Sequence, residues 1–163
     1  MMRSTCDWCD EHKADVSGAF RVLPPGFLAY GARRQFSGQV TTVQCFEDNT
    51  AVKSQADSPG LGRVLVVDAA ASMRRAVLGG NLAAAAARNG WAGVVVNGCV
   101  RDLAELRECD LGILALGHVP MPTIKREQGL VDVVVQIQGV MVRPGDWLYA
   151  DEDGVVINGH ALD

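Results

Sequence analysis

Long apolar runs are missing from this chain. None of its 163 residues belongs to a stretch approaching the roughly 20 needed to cross a bilayer. The first residues, MMRSTCDWCDEHK, have no apolar core, so no secretory signal is expected and the chain is read as cytoplasmic. A basic excess is missing too. The net charge of −4 and pI near 5.3 give no general attraction to nucleic acid or to anionic membranes, while leaving room for a protein partner with a basic surface. No second CxxC follows Cys6-x-x-Cys9, and with His12 nearby a fourth metal ligand is still lacking. The five cysteines therefore read as ordinary thiols, with Cys99 and Cys109 as small core residues. Lysine is scarce, at Lys13, Lys53 and Lys125 only. A Schiff-base enzyme needs a desolvated lysine, and Lys125 beside Arg126 in TIKREQG reads as part of a solvated basic loop.

The composition, 48% hydrophobic and 21% charged, suits a globular protein, and the length suits one domain over residues 1–163 with a real core. Residues 5–18 predict an amphipathic helix, broken by Pro24 and Pro25. GQVTTVQCF, from Gly38 to Phe46, predicts a half-buried strand. A helix over 49–59 follows, with Asn49 as cap and Pro59–Gly60 as stop. RVLVVDAA is a short continuous apolar strand, NLAAAAARNG an alanine-rich helix, and WAGVVVNG another strand. A helix from about Asp102 to Arg107 and the apolar LGILALG complete a strand–helix–strand–helix–strand series, which predicts parallel pairing through right-handed crossovers. The last third holds several strands joined by turns at Gly139, Pro144–Gly145 and Asp153–Gly154. An α/β fold with a mixed sheet or two packed sheets is the expectation.

Open α/β sheets present ligand-binding residues at the carboxyl ends of their strands, and two such ends carry suggestive residues. At the first, Gly79 and Gly80 precede Asn81, Leu82 and the alanine helix, offering close backbone approach and free N–H groups for a carboxylate or phosphate. At the second, Arg101 can grip a carboxylate in a bidentate fork, and Asp102 offers hard oxygen to magnesium or manganese. The alternative makes Asp102 a helix cap, leaves Arg101 solvated and lets Glu105 pair with it. His118, after LALG, stands at another strand end and reads as a packing or surface residue or a ligand contact, while Asp151, Glu152 and Asp153 read as a hairpin turn before they read as a metal site.

The stretches YGARRQFSGQVTTVQCFEDN, GRVLVVDAAAS, NGWAGVVVNGCVRDLAEL, DLGILALGHVP and GVMVRPGDWLYADEDGVVI together resemble the RraA-like family from Thr5 to Ile157. That family includes divalent-metal-dependent 4-hydroxy-4-methyl-2-oxoglutarate aldolases and regulators of ribonuclease activity. The resemblance implies a swivelling β/β/α-type sandwich with flanking helices, assembled as a homotrimer or as a hexamer of two trimers. It implies that Arg101 binds a pyruvate carboxylate, that Asp102 holds a divalent metal, magnesium or manganese, directly or through water, and that Gly79, Gly80, Asn81 and Leu82 form the substrate loop. Two departures stand out: the family commonly has aspartate where Gly80 stands, and a triple glycine where Ala69, Ala70 and Ala71 stand. The implied activity is a retro-aldol cleavage of a small 2-oxo-4-hydroxy acid to pyruvate, with oxaloacetate decarboxylation through the same enolate. The rival is a non-catalytic regulator that binds a ribonuclease assembly. A methyltransferase using S-adenosylmethionine ranks below both, because DAAAS lacks the glycine-rich loop it needs.

Overall fold

In the computed structural model, which describes residues 2–163, the apolar strands sort their side chains by alternation into separate cores. The central strands β4 (Val64–Asp68), β6 (Gly93–Val100) and β7 (Gly112–His118) lie side by side and parallel. Leu65, Val67, Val94, Val96, Ile113 and Ala115 face one way, into a core shared with α2 (Thr50–Ala56), α3 (Gly80–Arg88) and α4 (Leu103–Glu108). Val64, Val66, Val95 and Leu114 face the other way, onto Leu148 and Ala150 of β11 (Trp147–Ala150) and Val155 and Ile157 of β12 (Val155–Asn158). The intervening residues Tyr149 and Val156 point outward again, under Trp8 of α1 (Thr5–His12). A period of two along each strand thus gives two sheets back to back with helices outside, the β/β/α layering of a sandwich.

One strand joins the layers. The first residues of β3 (Phe36–Gln44) pair antiparallel with β11, and Val40–Gln44 pair parallel with β4. Phe36 sits at the bend, its ring lying on Gly93 and Gly112, where a Cβ would run into it. Short strands β1 (Phe20–Val22) and β2 (Leu28–Ala29) close the two edges, and β8 (Leu130–Val131) adds to β3. A hairpin of β9 (Val135–Ile137) and β10 (Val140–Val142) turns at Gly139 and covers the inter-sheet core. Among the described residues no helix is long and apolar enough to cross a membrane.

Three local expectations differ from what is observed. Helix α1 ends at His12 rather than residue 18, because the Asp15 carboxylate takes the amides of Ser17 and Phe20 and turns the chain. Asn49 makes no cap bond; Asp48 instead takes the Thr50 amide and hydroxyl, freeing Asn49 for other contacts. A three-residue strand, β5 (Ala76–Leu78), lies hidden in SMRRAVLGG, too short to show any periodicity.

After β4 the chain turns through Ala70 and Ala71, both exposed and both left-handed, at φ of 57° and 56°. Their amides are held by the Asp68 carboxylate and the Asn97 carbonyl, so the turn survives despite the Cβ penalty of roughly 1 kcal/mol per residue. Ala71→Gly removes that penalty at some cost in unfolded-chain entropy, and is expected to raise the melting temperature by about 2 °C. Thermal unfolding followed by circular dichroism checks this; a lowered midpoint contradicts the strain.

Candidate active site

Strands β5 and β6 run parallel with Leu78 beside Val100, and the Arg101 amide donates to the Leu78 carbonyl at 2.9 Å. Where both strands stop, two segments therefore leave side by side: Gly79–Leu82 into α3, and Arg101–Asp102 into α4. Gly79 is extended and caps nothing through a side chain, so the first amides of α3 are open. Asp102 fills that need. Its Oδ2 accepts from the Gly80 amide at 2.9 Å, while its own helix receives no side-chain cap. Asp102 thus begins α4 by position but caps the neighbouring helix, and it adopts a left-handed φ of 64° to do so.

Glycine at 79 is a requirement of this contact. A Cβ there would lie 2.7 Å from Asp102 Oδ2 and 3.3 Å from Arg101 Cγ. At position 80 a Cβ would overlap Glu105 Oε2, so the Glu105 carboxylate occupies the space that a side chain on residue 80 would use. The ion pair between Arg101 and Glu105 expected from the sequence is not formed among the described residues. Glu105 instead points toward the positive end of α3, where a carboxylate is favoured.

Gly79, Asn81, Leu82, Arg101 and Asp102 line a cleft of about 220 Å³. Gly80 contributes to it through the amide that fixes Asp102. The rest of the lining includes residues not anticipated as site residues: Asn49 and Lys53 of the α2 segment, and Thr123 and Lys125 of the loop after β7. Asn49 ties these segments together, donating to the Val77 carbonyl at 3.3 Å and accepting from the Thr123 hydroxyl at 2.9 Å. Three cations, Lys53, Arg101 and Lys125, thus meet one lining carboxylate, Asp102. Lys53 is already paired with Asp57 at 2.6 Å, whereas Arg101 reaches only the Pro120 carbonyl, at 3.4 Å. Nothing in TIKREQG distinguishes a cleft lysine from a solvated one; only the long-range ties of its loop do.

The other sequence candidates fall elsewhere. His118 meets the Tyr30 hydroxyl through Nδ1 at 3.2 Å and does not line the cleft. Asp151 is bound by Thr5 and by the amides of Asp153 and Gly154, which makes it the hinge of the β11–β12 hairpin. A larger hollow of about 570 Å³ borders that hairpin and Pro24–Phe27, but it contains none of the anticipated site residues. Asp153 beside Cys6, and burial at Cys9, hold both thiols above the usual cysteine range, the reverse of a reactive pair. Cys99 is buried as expected and Cys109 is half-buried against the helix-side core.

Among the described residues no group of three or more His, Cys, Asp or Glu side chains is placed to hold an ion. A divalent cation here would be held by Asp102, whose second oxygen has no hydrogen-bond partner among the described residues, with water and ligand oxygens completing its shell. Such a shell suits magnesium or manganese and does not suit zinc, so the residues fit a hard, weakly held ion.

The arrangement is that of an α/β protein with a cleft, lined by three cations and one carboxylate, where two parallel strands end. The model of the RraA-like family, described as Aldolase/RraA, matches residues 5–157, and the chain belongs to that family. A protein of Albidiferax ferrireducens named "Putative 4-hydroxy-4-methyl-2-oxoglutarate aldolase" is 62% identical over 162 residues, covering 94% of each chain. The solved structure of the RNA-processing inhibitor RraA from Thermus thermophilis superposes with a TM-score of 0.93 at 43% identity, covering 100% of this chain and 96% of that one. A structure from Geobacillus kaustophilus named S-adenosylmethionine: 2-dimethylmenaquinone methyltransferase gives 0.92 at 40% identity, covering 98% and 97%. The expected mixed α/β fold is therefore shown both by its layers and by its neighbours.

Gly79→Ala leaves an acceptable backbone but forces the Asp102 carboxylate off the Gly80 amide, at an expected cost of about 1–2 kcal/mol. In an Asp102→Ala background the same change should cost less than about 0.5 kcal/mol, because the colliding group is gone. Denaturant unfolding of the four proteins in this cycle tests the contact; equal costs in both backgrounds contradict it.

Proposed function

We propose that this protein is a divalent-metal-dependent aldolase that cleaves 2-oxo-4-hydroxy acids of the 4-hydroxy-4-methyl-2-oxoglutarate type to pyruvate. Oxaloacetate decarboxylation at the same site forms part of the proposal. The observation that carries it is the pairing at the strand ends: a guanidinium without a carboxylate partner among the described residues, beside a carboxylate fixed by the Gly80 amide, both lining one cleft. The names carried by close relatives support the same reading.

Breaking the C3–C4 bond leaves an enolate at C2, and the cleft's positive groups meet that charge. Arg101 holds the C1 carboxylate in a two-point fork and orients the 2-oxo group toward Asp102. When bound, magnesium or manganese supplies Lewis acidity at the 2-oxo oxygen. Gly79 presents backbone rather than a side chain to the ligand, Asn81 and Leu82 line the cleft beside it, and the start of α3 adds its partial positive charge. The proton of the 4-hydroxyl must leave and C3 must receive one. Glu105, whose carboxylate lies against Gly80 with no hydrogen-bond partner among the described residues, is proposed to assist these proton transfers, with water as the carrier into the cleft. A homotrimer or hexamer is proposed for the assembly, and the interior of the cell for its location.

A second reading, regulation of a ribonuclease by direct binding, draws on the likeness to the Thermus inhibitor. The two readings separate in a coupled pyruvate-release assay with oxaloacetate and 4-hydroxy-4-methyl-2-oxoglutarate. Turnover with magnesium that disappears on chelation is expected for the enzyme. Asp102→Ala should lower it by roughly 100-fold or more. Turnover retained in that variant contradicts the assignment, and silence in the wild type together with ribonuclease binding favours the regulator.

A further inference from the structure

Asp48 is 1% exposed, and its carboxylate is spent entirely on local structure. Oδ1 takes the Thr50 amide and hydroxyl, and Oδ2 takes the amides of Arg126 at 3.1 Å and Gln128 at 2.9 Å. Burial pushes this carboxyl up, and the hydrogen bonds from Thr50, Gln128 and Arg126 more than offset it, leaving the group below the usual carboxylate range. It is therefore a permanent anion at neutral pH, pinning the loop on the far side of Lys125. Thr123, bound to Asn49, pins the near side. Lys125 is exposed, lines the cleft and forms no ion pair among the described residues, so its doubly anchored loop delivers an unpaired ammonium to the cleft that Arg101 also lines.

Two cations lining one small cleft, neither of them in an ion pair among the described residues, call for a ligand with two anionic ends. Arg101, beside Asp102, is committed to the carboxylate next to the reacting oxo group. We infer that Lys125 binds the second, distal carboxylate of the substrate, making it the residue that selects dicarboxylic over monocarboxylic 2-oxo acids, with Asp48 as the positioning residue for its loop. This rests on the keto-acid site proposed above and adds the group that reads the substrate's other end. Lys53 is a weaker claimant because Asp57 already holds its ammonium.

Calorimetric titration of the full-length protein, in magnesium chloride, with pyruvate and with 2-oxoglutarate tests this without requiring turnover. Lys125→Met is expected to weaken 2-oxoglutarate about tenfold or more while changing pyruvate by less than about twofold, and Lys125→Arg should keep most of the preference. Lys53→Met, which removes the same charge, should weaken 2-oxoglutarate by less than about threefold. Asp48→Asn should erode the preference in the same sense as Lys125→Met, with its melting curve recorded alongside. Equal losses for both ligands in Lys125→Met, or equal effects of Lys53→Met and Lys125→Met, overturn the role of Lys125 and leave the keto-acid site standing. Binding of neither ligand to the wild type overturns both.

Discussion

The hydrogen bond from the Gly80 amide to the Asp102 carboxylate is the contact on which the cleft depends. It couples the start of one helix to the start of the next, and it decides which way the charged pair points. Three features of the chain converge on it. The parallel pairing of β5 with β6 brings the two strand ends together. A glycine at 79 leaves the volume that the carboxylate enters. Asp102 accepts a left-handed backbone, which turns its side chain away from its own helix and toward the neighbour. Without any one of these, Arg101 and Asp102 would be two hydrated charges at the end of a strand.

The layers behind the site explain why that geometry holds. Strands β4, β6 and β7 are buried on both faces, one against helices and one against the second sheet, so their carboxyl ends cannot shift without disturbing two cores. The rest of the cleft lining is built differently. It is a loop held by hydrogen bonds to Asp48, which takes the Thr50 amide at the start of α2, and to Asn49, which makes no cap bond. A rigid strand end bearing Arg101 and Asp102 thus shares the cleft with a tethered loop bearing Lys125. The larger hollow near the β11–β12 hairpin is lined by Arg34, Asp151, Glu152 and Asp153 among apolar residues, and it contains none of the residues at the ends of β5 and β6.

Much of this was legible in the chain. The apolar strands and the alanine helix announced parallel pairing, and the glycines at 79 and 80 and the Arg101–Asp102 pair fell at strand ends where ligands bind. What the sequence hid depends on distance rather than pattern. Lys125 is exposed, as its solvated-loop reading expected, but its place at the cleft was hidden because the residues that pin its loop lie about 75 positions away. Glu105 looked like a partner for Arg101 by helical spacing, yet the gap over Gly80 and the positive end of α3 draw it elsewhere. Asn49 looked like a helix cap, a role that its neighbour Asp48 took over. In each case a local rule named a competent residue and a long-range contact chose its use.

The most direct test of the central claim is a crystal structure of the protein grown with manganese and pyruvate. Anomalous density is predicted beside the free oxygen of Asp102, with the pyruvate carboxylate on the Arg101 guanidinium and the Gly80 amide still bound to Asp102. Manganese held elsewhere, or pyruvate bound away from Arg101, would contradict it.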